Sequence, residues 1–131
     1  MDTRRGYTNL ATWIPMNLTA AYRADEVSTF FRHVPIVAMA GTAVRTWERE
    51  PHHRQNLTHH VAIHFGWAPS PYANKSAGCT VLLAKNRNTL KAVRQIITPP
   101  RELRGRGGAV DVEQRGVRLR VVTACFHPGR G

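Results

Sequence analysis

Two cysteines, Cys79 and Cys125, are all that this 131-residue chain contains, which excludes a disulfide-stapled framework. Both sit in apolar, strand-like runs, where an unpaired Cys acts as a small hydrophobe, so buried thiols are expected rather than a bond. Long apolar runs are missing as well. The longest, Val34–Ala40 and Val81–Ala84, fall far short of the ~20 residues a helix needs to cross a bilayer, so no membrane association is expected. The basic start, Met1-Asp-Thr-Arg-Arg-Gly-Tyr7, leads into no apolar stretch of signal-peptide length, so secretion is not expected. Neither an internal repeat nor a low-complexity tract occurs.

Acidic residues are scarce too. Eight stand against 16 Arg and 3 Lys, leaving a net charge of +11. Such an excess concentrates polyanions near the surface, and the Arg fork suits phosphate oxygens. The competing reading is a coding bias toward Arg spread over a solvated surface. Basic residues gather in the second half: Lys85 to Gly131 holds 11 bases and 3 acids, Met1 to Ala84 holds 8 and 5. With 42% apolar and 21% charged residues, the chain has enough to build one domain around a core, and wholesale disorder is excluded.

The periodicities sketch the elements. Ala20, Ala24, Val27 and Phe31 predict an amphipathic helix from Thr19 to Arg32, with Thr19 as N-cap. Leu10–Ile14 and, beyond Pro35, Ile36–Ala40 predict strands. Residues 45–57 carry no clear period and read as a loop or short helix. Val61, Ile63 and Phe65 alternate with His60, Ala62 and His64, a half-buried strand. Cys79–Ala84 and Ala92–Ile97 read as extended, and Ala109–Glu113 and Val117–Phe126 flank a hairpin turn at Gln114-Arg115-Gly116. The layout is α/β or α+β, with mostly strands in the second half.

Five histidines between His52 and His64 raise the question of a metal. On one strand His60 and His64 stand about 13 Å apart at ~3.3 Å per residue, too far for one zinc ion. They are expected as exposed loop and strand-face residues. Two aromatic-basic groupings are candidate stacking surfaces, Trp47 with Arg45 and Arg49, and Trp67 near Tyr72 and Lys75. The bland reading, preferred from sequence, places Trp13 and Trp67 in the core.

Four segments, taken together, resemble a known family: Ile36-Val-Ala-Met-Ala-Gly-Thr42, Ala77-Gly-Cys-Thr-Val-Leu-Leu-Ala-Lys-Asn86, Arg104-Gly-Arg-Gly-Gly-Ala-Val-Asp-Val112 and Val121-Val-Thr-Ala-Cys-Phe-His-Pro128. In this order and spacing they are similar to the amino-terminal half of an endonuclease/exonuclease/phosphatase domain, of the apurinic type carried by non-LTR retrotransposons. The resemblance implies a partial four-layer α/β sandwich, mostly one mixed sheet with one or two helices, in a single truncated domain over residues 1–131. For intact relatives it implies Mg²⁺-dependent phosphodiester hydrolysis on DNA, in the nucleus. It also tests for activity. The family's Asn after the first Trp corresponds to Ile14, its metal-binding Glu to Gly41, and its phosphate-approaching Tyr to Cys125. Asn17 and His127 are the only nearby polar stand-ins. The remaining family catalytic groups belong to a carboxy-terminal half expected to be absent. No catalytic residue, no metal ligand and no cofactor is therefore assigned to this chain. The nucleic-acid-facing candidates are Arg45, Asn74, Lys75, Arg104 and Arg106. The alternatives are a non-catalytic basic module using Arg104, Arg106, Arg118 and Arg120 on phosphates, or a decayed reading frame without function.

Overall fold

The computed structural model describes residues 21–42, 44–46, 50–67, 78–85, 92–114 and 116–124. Ala24, Val27, Ser28 and Phe31, spaced i, i+3, i+4 and i+7, line one side of helix α1 (Ala21–Phe30) and the turn that ends it. Ala24, Val27 and Ser28 are buried there, and Arg23, Glu26 and Thr29 face water. The predicted cap Thr19 and strand Leu10–Ile14 lie outside the described residues. After Pro35 come β1 (Ile36–Ala40), β2 (His53–Asn56), β3 (His60–Phe65), β4 (Cys79–Ala84) and β5 (Val93–Ile97). A 3₁₀ turn (Arg101–Leu103), β6 (Gly107–Gln114) and β7 (Val117–Ala124) complete the order.

The strands form two sheets, β1-β4-β3-β2 and β5-β6-β7, and every pairing among them is antiparallel. This corrects the expectation of mostly one mixed sheet; the architecture is α+β. The physical reason lies in the side chains. Val110, Val112 and Val121 of the second sheet pack face to face on Ile63, Phe65, Cys79, Val81 and Leu83 of the first. Stacking buries both apolar faces, which lengthening a single sheet would leave exposed. On the far side of the first sheet, Ala24 and Val27 of α1 meet Val37, Met39, Ala62 and Leu82. The layers therefore run helix, four-stranded sheet, three-stranded sheet. Each fully buried Val, Leu or Ile contributes about 1.5–3 kcal/mol of transfer free energy.

Two further expectations are corrected. β3 is buried at all six positions, not at alternate ones, because its polar face is covered on the helix side and its apolar face by the second sheet. Residues 45–57 include strand β2, whose register sets Arg54 opposite Ile63 and Gln55 opposite Ala62. It is a short polar strand at the end of the sheet, a position where charge is common and hydrophobic period weak.

The hairpin agrees with its sequence signal: Gln114 pairs with Val117 and leaves Arg115-Gly116 as the connection. The outer face of β5-β6-β7 divides into a charged end and an apolar end. Arg120 grips Asp111 through two hydrogen bonds of 2.7 and 2.9 Å, and Arg118 donates to Glu113 at 2.8 Å. Val122, 62% exposed, lies opposite Ala109 at the other end. Among the described residues no helix is long and apolar enough to cross a membrane.

Candidate nucleic-acid interface

Strand register brings the sequence-derived candidates to one rim of the molecule. Ala40, Cys79 and Phe65 are aligned partners at one end of the first sheet, and Gly107 pairs with Ala124 at the corresponding end of the second. Two contacts hold the two ends together: Thr123 Oγ1 donates to the Met39 carbonyl at 2.7 Å and Gly78 N–H donates to Gly105 O at 2.6 Å, while Thr42 N–H donates to Gly78 O at 2.9 Å within the end of the first sheet. The Cys79 thiol, buried as expected, is directed at the same Gly105 carbonyl at 3.9 Å.

Trp67 stands at the centre of this rim, just beyond the end of β3. Its N–H donates to Val44 O at 3.0 Å and its carbonyl accepts from Thr46 N–H at 2.7 Å, which lays residues 44–46 alongside it. The exposed Arg45 guanidinium sits 5.5 Å from the centre of the indole ring, a cation–π contact worth about 0.5–1 kcal/mol at an exposed site. From the other side the Arg104-Gly105-Arg106 turn closes on Trp67. A Cβ on Gly105 would lie 3.0 Å from Trp67 Cα, and its φ of +88° belongs to the left-handed region, so glycine is required on both counts. Gly66 performs the same service for residues 44–46, since a Cβ there would meet Val44 O at 2.5 Å.

The structure thus brings three of the five candidates to one residue: Arg45 lies over the Trp67 ring, and the turn bearing Arg104 and Arg106 packs on the Trp67 backbone. Asn74 and Lys75 lie outside the described residues, as do Trp13, Ile14, Asn17, Trp47, Arg49, Tyr72, Cys125 and His127. Trp67 is corrected from core to a half-buried rim residue. The signal that could have marked it is the Gly66-Trp67 step at a strand end, where a small residue lets another chain approach. Arg118 and Arg120, offered by sequence as phosphate ligands, are instead committed to Glu113 and Asp111 on the outer sheet face. These ion pairs hold both carboxyls below the usual range, chiefly through the arginine hydrogen bonds.

Histidines were expected at the surface, and two are corrected. His60 and His64 are buried on the helix side of β3. His60 Nε2 donates to the Val34 carbonyl at 2.9 Å, so its Nδ1 is the acceptor for the Ser28 hydroxyl at 2.8 Å. Ser28 Oγ in turn accepts His59 N–H at 3.2 Å, which completes a tie between α1 and β3. His64 Nε2 donates to Gln55 Oε1 and its Nδ1 accepts the Thr80 hydroxyl, both at 2.8 Å. Burial lowers His60 below the ordinary histidine range. Burial, reinforced by the neighbouring His53, lowers His64 to about 3. Both rings are neutral structural members whose lone pairs are already engaged.

Gly41, the counterpart of the family's metal-binding Glu, has φ +70° with open space beside it, and Thr42 is fully buried with its hydroxyl 3.4 Å from that of Thr80. The end of β1 therefore offers no carboxylate, and among the described residues no three His, Cys, Asp or Glu side chains converge to hold a metal ion. The donors present do not fit the Mg²⁺ that the resemblance implies for intact relatives. Comparison with family models, with curated proteins and with solved structures returned no match for this chain.

Proposed function

We propose that this chain is a retroelement-type endonuclease scaffold that holds nucleic acid on its phosphates without cutting it. One observation carries the reading. Register and the Thr123–Met39 hydrogen bond bring the ends of β1 and β7 to the same rim as Arg45, Arg104 and Arg106. In the family that the sequence resembles, those strand ends carry the metal-binding Glu and the tyrosine that approaches the scissile phosphate. Here the first is Gly41, and Cys125 corresponds to the second. A glycine supplies no side-chain carboxylate to a hard divalent cation, so the hydrolytic step lacks the ligand that would hold its electrophilic centre. Guanidinium groups held beside the rim still attract phosphate oxygens.

The experiment is binding and nicking of the same plasmid by the purified chain. Retention that weakens steeply with salt, with no Mg²⁺-dependent nicking, is the expected result. Nicking above background would overturn the non-cleaving reading, and absence of salt-sensitive retention would overturn the binding one. Gly41→Glu puts a Cβ on a left-handed position, costing about 1–2 kcal/mol, and is expected to leave the chain unable to nick.

A further inference from the structure

Duplex DNA presents phosphates to a basic rim and has no use for an indole beside them. Trp67 is half-buried, is held by hydrogen bonds on its backbone N–H and C=O while its indole N–H is buried without a partner among the described residues, and has Arg45 over its ring. The separation is informative. Tight contact between stacked planes lies at roughly 3.5–4 Å, so a guanidinium carbon 5.5 Å from the ring centre is offset and loosely placed. Two successive stacks need roughly 7–8 Å. The exposed Arg45 side chain has only to swing outward for one flat ring to enter between guanidinium and indole. The turn carrying Arg104 and Arg106 packs on the Trp67 backbone and Cβ, where Gly105 permits the close approach. A base in the slot would therefore carry its phosphates toward two further arginines.

Resting on the phosphate-binding reading above, we infer that this rim takes unpaired nucleotides, with one base sandwiched between Trp67 and Arg45 and the flanking phosphates on Arg104 and Arg106. A paired base is stacked on its neighbours along both faces and cannot enter; a base in a single strand can, and every base has a π-face to offer. The rim is thus selective for strandedness and tolerant of sequence.

The test measures fluorescence anisotropy of a labelled oligothymidylate and of a duplex of equal length, with the intact chain and three variants. Wild type is expected to prefer the single strand. Trp67→Ala should weaken single-strand binding about tenfold and duplex binding by much less, since stacking on one aromatic is worth roughly that factor. Trp67→Phe, which keeps a smaller ring and the Gly105 contact, should lose less, and it guards against a fold lost with the alanine variant. Arg45→Gln should fall between wild type and Trp67→Ala. Equal binding of both oligonucleotides by wild type, or single-strand binding indifferent to Trp67→Phe and Trp67→Ala alike, overturns the inference and leaves the phosphate-binding reading standing. No binding of either oligonucleotide overturns both.

Discussion

Acid should unfold this protein through His64, and the size of the effect follows from where the ring sits. Its side chain is 1% exposed, donates to Gln55 and accepts from Thr80. In the unfolded chain the imidazole takes a proton below pH 6.5; in the folded chain it resists until about pH 3. Across that window the unfolded state binds more protons, so stability is fully present above pH 6.5 and falls as the pH drops toward 3. One proton contributes about 1.4 kcal/mol per pH unit, which comes to about 2 kcal/mol by pH 5 and about 5 kcal/mol by pH 3. Against a typical domain stability of about 5–15 kcal/mol, that is enough to bring the fold near its midpoint. His60, shifted the same way by burial, adds to the slope. Urea unfolding of wild type and His64→Gln at a series of pH values checks the argument. The variant should be less stable at neutral pH yet show a shallower pH dependence, by about one proton, between pH 6 and 4. Parallel stability profiles for the two proteins would show that His64 does not titrate as its surroundings require.

Ser28→Ala should remove the acceptor of His59 N–H and the donor to His60 Nδ1, leaving buried groups unpaired at a cost of about 1–3 kcal/mol, read as a lower urea midpoint. At Gly108 an added Cβ would overlap the Phe65 ring, so Gly108→Ala should destabilise by about 1–3 kcal/mol, and Phe65→Leu in the same chain should recover part of the loss in thermal unfolding. Arg118→Ala and Arg120→Ala should leave oligonucleotide affinity unchanged because carboxylates already hold these groups. Replacing Arg104 and Arg106 together with Ala should reduce the salt slope of binding by about 1.4 on a single strand.

The helix and six of the seven described strands follow from local pattern. Ala24, Val27 and Phe31 repeat at the helical period, and Cys79–Ala84 and the two arms of the hairpin are apolar or alternating runs closed by turn residues. Strand β2 is the exception, because His53-Arg-Gln-Asn56 has no apolar residue to reveal its period and is extended only through its ladder with β3. The alternation in β3 was visible, but its meaning was not. A histidine at every second position reads as a wet face unless one knows that Ser28, Val34, Gln55 and Thr80 wait to satisfy it. The same limit governs the rim. Arg45, Trp67 and Arg104 are far apart in the chain, and nothing in the sequence around them announces that they meet.

Composition, charge and hydrophobic period, each a property of neighbouring residues, were enough to point to a basic chain of α/β or α+β layout. Which arginines are committed to Asp111 and Glu113 depended on register across β6 and β7 and on two sheets stacking face to face. Long-range contacts of that kind are set by the packing of whole faces, and no local stretch of residues encodes them.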